Sequence, residues 1–183
     1  TKALRRYPSG VLVEEFVPGT DVTVPFLEGV GEDGVLLPVD YVVDPTVRSR
    51  YNIYDFRLKT QESSRVQVRC PPDLPRADVA RLRAITRQAL RVLGVRDLGR
   101  ADFRIGEDGR IYFLELNALP SLERGASTFA AAAREGVDYA GTISAIVESA
   151  ARRQGLTVPA TTRKRNKDRL RVGFTYNVKR VDS

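Results

Sequence analysis

A chain of 183 residues, 42% apolar and with ordinary aromatic content, is long enough to bury the core of one domain. It contains no His and one Cys, which excludes Ser-His-Asp triads, imidazole base chemistry, an internal disulfide and most zinc sites. The net charge of +7 is concentrated at one end: residues 151–183 hold ten of the 30 Lys/Arg and two of the 23 acids, so the body is close to neutral and is not expected to bind nucleic acid. No run approaches membrane length and no signal peptide is legible, so cytoplasm is the expected location. The chain has no Met and opens on Thr1, as expected for a piece of a longer protein.

In chain order, residues 1–10 read as an irregular basic start. Val11–Val17 reads as a strand broken at Pro18-Gly19, Asp21–Leu27 as a second and Val35–Val43 as a third. Pro25 and Pro38 lack N–H donors, which places these strands at edges or bulges. Residues 44–64 show no clear period, and Val66–Cys70 is a short strand. Cys70, without an imidazole to activate it, reads as a small hydrophobe. Arg76–Leu93 is a helix whose apolar stripe is Val79, Leu82, Ile85, Ala89, Leu90 and Leu93, closed by Gly94. Ser127–Arg134 is a small helix, and Asp138 caps a last helix to Arg153 with a Tyr139, Ile143, Ile146, Val147 and Ala150 stripe.

Between the helices lies Gly99–Leu122, GRADFRIGEDGRIYFLELNALPSL, which reads as a hairpin turning at Asp108-Gly109. A two-residue loop pairs Glu107 with Arg110 and places Asp102 opposite Glu115. Arg100, Asp102, Glu115 and Asn117 then share one face, while Ala101, Phe103, Ile105, Tyr112, Leu114 and Leu116 share the other. The polar face is either a solvated sheet surface or a cation site. Two opposed carboxylates repel unless a cation lies between them, and Asp, Glu and Asn oxygens suit magnesium when phosphates complete its shell.

R-x-D followed about a dozen residues later by E-x-N-x-x-P resembles the metal-binding end of the ATP-grasp ligases, in particular the D-alanine:D-alanine ligase branch. The resemblance implies an α+β fold, the C-terminal half of an ATP-grasp, with a largely antiparallel sheet and flanking helices. It assigns Asp102, Glu115 and Asn117 to two magnesium ions, with manganese as a substitute, against ATP phosphates, and Arg100 to a tetrahedral intermediate. Glu14-Glu15-Phe16-Val17-Pro18-Gly19-Thr20-Asp21 resembles the family's E-x-[FW]-[ILV]-x-G segment and its following acid. The backbone of Glu15, Phe16 and Val17 would then hold adenine, Glu14 its amino group and Asp21 the ribose hydroxyls. On the residues alone, the same segment is a strand, a turn and a strand with exposed acids. Asn52–Lys59 resembles F-Y-D-Y-x-x-K, which makes Lys59 the candidate phosphate contact. Beyond the E-x-N-x-x-P motif, Ser121 would supply an oxyanion N–H and Ser127 would bind a substrate carboxylate.

The resemblance covers about residues 11–153 and implies an ATP-dependent carboxylate–amine ligase of peptidoglycan synthesis that works through an acyl phosphate on amino-acid or dipeptide substrates. The alternatives are an ATP-grasp ligase joining other amino acids and a non-catalytic nucleotide-binding module. The family's upstream half is not in this sequence, so the chain alone is expected to be inactive. Residues 1–153 read as the ATP-grasp portion and 154–169 as a basic linker. Residues 170–183 read either as the first strand of a second ligase-like module or as a strand added to the existing sheet.

Overall fold

The computed structural model describes residues 2–47, 58, 61 and 63–157. Lys59, most of the Asn52–Lys59 segment, most of the linker and the terminal strand expected after residue 169 lie outside these. After a short helix α1 (Lys2–Arg6), the described residues before the hairpin form β1 (Gly19–Leu27), β2 (Val39–Val43), a 3-10 turn (Ser63–Arg65), β3 (Val66–Arg69) and helix α2 (Arg76–Leu93). The hairpin is β4 (Leu98–Gly106) and β5 (Ile111–Asn117), and helices α3 (Ser127–Arg134) and α4 (Tyr139–Arg153) follow. The strands form one antiparallel sheet in the order β3-β2-β1-β4-β5.

Alternation along β1 and β4 separates two cores. Val22, Val24, Phe26, Ala101, Phe103 and Ile105 face α2, where Leu82, Leu90 and Ile85 meet them. Leu27, Leu36, Val39 and Leu98 point the other way and pack against Ala131 and Ala132 of α3 and against Ala145 and Ile146 of α4. Cys70 joins this second cluster, and burial pushes its thiol upward from its ordinary value, in keeping with a packing role. No described helix is long and apolar enough to cross a membrane.

Helix α2 has the expected bounds and ends on Gly94 in the left-handed conformation at φ 65°. Its stripe differs in detail. Leu93 is 60% exposed, while Thr86 turns inward and satisfies its hydroxyl on the Leu82 carbonyl at 2.9 Å. Arg83 donates to the Val35 carbonyl at 2.8 Å and Arg87 pairs with Asp33, so α2 is tied to the turn before β2. Asp138 caps α4 by accepting from the Gly141 N–H at 2.7 Å.

The strand expected over Val11–Val17 does not form. Leu12 and Val13 are 80% and 86% exposed, and the segment joins no sheet among the described residues. Its β-branched composition suits a strand, but a strand also needs a neighbour to take its backbone bonds. Expected Val35–Val43 shortens to Val39–Val43, because Pro38 donates nothing to the ladder; Val35 keeps a single bridge to Phe26.

At the base of α4, the Arg153 guanidinium lies 2.6 Å from Asp97 and the Ser149 hydroxyl donates to Asp97 at 2.9 Å. Arg153, followed by Ser149, holds the Asp97 carboxyl below its ordinary value against the burial that opposes them. A depressed carboxylate stabilises the fold above its unfolded pKa of about 3.9, and that contribution fades as pH falls through the lower folded value. Asp97 also sits at φ 65°, which Asn tolerates, so Asp97→Asn isolates the charge. This variant is expected to unfold more easily than wild type at pH 7. As pH falls below the unfolded value of about 3.9 the gap between the two unfolding midpoints should narrow. A constant gap across a pH series of urea melts would show that the charge contributes nothing.

Candidate functional site

Sheet register places three polar rows on one face. Thr23, Asp102 and Glu115 are successive partners across β1, β4 and β5. On one side of that row run Pro25, Arg100 and Asn117, and on the other Asp21, Arg104 and Tyr112. Helices α3 and α4 pack on this face against Leu27, Leu98 and Val39, the last being the β2 partner of Thr23, so the apolar cluster borders the polar rows.

The hairpin reaches this register by a different route from the simple two-residue loop. Gly106 donates to the Arg110 carbonyl at 2.9 Å and Gly109 donates back to Gly106 at 2.9 Å, with Gly109 at φ 75°. The loop is therefore three residues, Glu107-Asp108-Gly109, closed by a left-handed glycine. A bulge at Leu114 then restores the pairing of Asp102 with Glu115 and Arg100 with Asn117. Between turn and bulge the faces are exchanged. Tyr112 joins Arg104 on the polar side, and Phe113 meets Phe103 edge-on at 5.6 Å on the core side. Leu114 is left exposed at the bulge.

Arg100 grips Asp102 through two parallel hydrogen bonds, Nε to Oδ1 and Nη2 to Oδ2, each 2.7 Å. Burial pulls the Arg100 guanidinium down, but Asp102, with Tyr41 and Glu115, more than offsets it and leaves the group above its ordinary value. Glu115 is exposed, and the Asn117 amide oxygen accepts from the Leu119 N–H at 2.9 Å. Two carboxylates and one amide oxygen are hard donors of the kind magnesium takes beside phosphates. Among the described residues no group of three or more His, Cys, Asp and Glu side chains is gathered, so protein donors alone make an incomplete shell. Thr23, 4% exposed and opposite Asp102, has a hydroxyl with no hydrogen-bond partner among the described residues. A buried donor left in that condition is costly and fits a face made to receive a polar group.

The Glu14–Asp21 segment meets the hairpin through Arg104. Its Nη1 lies 2.8 Å from Asp21 Oδ1, its Nε donates to the Val17 carbonyl at 2.9 Å, and its guanidinium stands 5.5 Å from the Phe16 ring centroid. Glu14 and Glu15 are exposed. Ser121 is exposed and its hydroxyl accepts from the Glu123 N–H at 3.2 Å; Ser127 is buried at the first turn of α3. Tyr139 anchors the loop between them: its hydroxyl donates to the Leu122 carbonyl at 3.1 Å, its ring stacks on Phe129 at 4.5 Å, and Arg124 covers it at 4.0 Å. Sequence reasoning missed Thr23, Arg104 and Tyr139. The available signal was alternation, since Arg104 is two residues beyond Asp102 and Thr23 two beyond Asp21.

A family model described as the D-ala D-ala ligase C-terminus matches residues 1–148. The D-alanine–D-alanine ligase of Aromatoleum aromaticum is 35% identical over 147 residues, which are 79% of this chain and 43% of that protein. The D-alanine–D-alanine ligase of an Azoarcus species is 37% identical over 117 residues, 64% of this chain and 35% of that protein. The chain thus spans less than half the length of these relatives. The crystal structure of D-alanine–D-alanine ligase from Bacillus anthracis matches with a TM-score of 0.60 at 18% identity, covering 78% of this chain and 42% of that one. The complex of that enzyme with ATP matches at 0.57 and 18% identity, covering 78% and 43%. At such identities the likeness establishes the fold, while the family match and the curated relatives establish descent: this chain belongs to the D-alanine–D-alanine ligase C-terminal family.

Proposed function

We propose that a complete ligase carrying this chain joins two amino acids, D-alanine or close analogues, at the expense of ATP. A carboxylate attacks the γ-phosphorus, ADP leaves, and the acyl phosphate is then attacked by the amine of the second amino acid, expelling phosphate and forming the peptide bond. The observation that carries this reading is the row Thr23, Asp102, Glu115 beside Arg100 and Asn117, a face of hard oxygens and one guanidinium in a chain of this family.

Asp102, Glu115 and Asn117 would hold magnesium, which neutralises phosphate charge when bound. Arg100, fixed by Asp102, presents its positive charge to the oxyanion that develops as the amine adds. Glu14, the Glu15–Val17 backbone and Asp21 address adenine and ribose. Lys59 addresses the phosphates. Ser121 offers an N–H on the far side of the loop held by Tyr139, and Ser127, at the start of α3, receives the carboxylate of the second amino acid. Cytoplasmic action on small amino-acid substrates follows from the same reading.

The test supplies the complete ligase with ATP, magnesium and D-alanine and measures ADP, phosphate and dipeptide together. Equal yields of all three are expected. ADP formed without dipeptide would remove the ligase reading, and dipeptide formed only from another amino acid would replace the substrate.

A further inference from the structure

We propose that Arg104 is a positioning residue that aims Asp21 at the nucleotide sugar and thereby sets selectivity for ribose over deoxyribose; this rests on the reading of Asp21 as the sugar-binding acid.

Arg104 is 5% exposed, and burying a guanidinium is costly unless its donors are satisfied and its charge is paired. Three of its contacts are with the nucleotide segment: the Asp21 carboxylate at 2.8 Å, the Val17 carbonyl at 2.9 Å and the Phe16 ring at 5.5 Å. It reaches them from β4, two residues beyond Asp102 and directly opposite Asp21. One rigid planar group thus fixes the direction of the Asp21 carboxylate and the path of the chain that precedes it. A carboxylate has about four acceptor positions, so Asp21 can be held by Arg104 and still take hydroxyl donors. Asp21 without Arg104 would keep its charge and lose its aim, and discrimination by a hydrogen-bonding site depends on aim.

The test measures binding of magnesium-ATP and of magnesium-2′,3′-dideoxy-ATP to the complete ligase by calorimetry. Wild type is expected to prefer ATP by about tenfold or more, the discrimination that hydrogen bonds to a charged group supply. Arg104→Met should bring the ratio below about threefold, with most of the change in ATP affinity. Arg104→Lys keeps a point charge beside Asp21 but cannot span Asp21 and the Val17 carbonyl together, so an intermediate ratio is expected. Asp21→Asn should abolish the preference. If Arg104→Met fails to fold, the lysine variant decides: an intermediate ratio supports the proposal and an unchanged one overturns it. A preference lost in Asp21→Asn but intact in Arg104→Met would overturn the role of Arg104 alone. No preference in wild type would overturn the sugar-binding reading of Asp21 and the proposal with it.

Discussion

Glu115→Gln in the complete ligase is expected to lower kcat by about 100-fold or more, a loss of about 3 kcal/mol in transition-state stabilisation. The substitution keeps shape and one acceptor oxygen while removing the negative charge opposite Asp102. Because Glu115 is exposed, unfolding stability should change by less than about 0.5 kcal/mol, so the rate loss would not reflect loss of folded protein. The magnesium concentration for half-maximal rate should rise as well. Asp102→Asn should behave differently, because Asp102 is also the bidentate partner of a largely buried Arg100. That variant should lose both rate and stability, the latter by about 1–3 kcal/mol for a guanidinium left half-paired. Near-normal turnover in Glu115→Gln at ordinary magnesium would remove Glu115 from the metal set.

The hairpin shows how far local chemistry carries a prediction. Asp108-Gly109 marked the turn, and alternation placed Asp102 opposite Glu115, yet the loop is one residue longer and Leu114 bulges. The two departures cancel at the site and not between turn and bulge, which is why Tyr112 and Phe113 exchange faces while the acids keep theirs. A bulge has little signature in one strand alone; it depends on the twist demanded by the partner. Helix bounds at Arg76–Leu93 and Ser127–Arg134 were legible because capping and periodicity are local. The pairing of β1 with β4 was not, since no short turn connects segments about eighty residues apart in sequence. Thr23 meets Asp102, and Arg104 meets Asp21, only through that pairing. Val11–Val17 illustrates the converse: strand-like composition that pairs with no neighbouring strand among the described residues remains outside the sheet.

Gly19→Ala is expected to be among the most damaging single substitutions in the chain, although it adds one methyl group. Gly19 lies at φ 151°, in the range that L side chains rarely adopt, and is paired with Gly106 across β1 and β4. A Cβ built there falls 1.9 Å from the Ile105 carbonyl oxygen and 2.9 Å from the Gly106 Cα. Both are backbone atoms of the neighbouring strand, so no rotamer change relieves the clash; the strands must separate. Their separation at this end would pull on the hydrogen bond from the Glu107 N–H to the Pro18 carbonyl at 3.1 Å and on the Asp21–Arg104 pair at 2.8 Å. The expected cost is about 3 kcal/mol or more in urea unfolding, with at least a tenfold loss of ATP affinity in the complete ligase. Gly109→Ala supplies the comparison. Its φ of 75° is also left-handed, but a Cβ there meets nothing within 4 Å. Backbone strain alone should then cost about 1 kcal/mol and leave nucleotide affinity unchanged. Equal effects of the two substitutions on stability would mean that the close approach of β1 to β4 at Gly19 is not what the protein requires of that position.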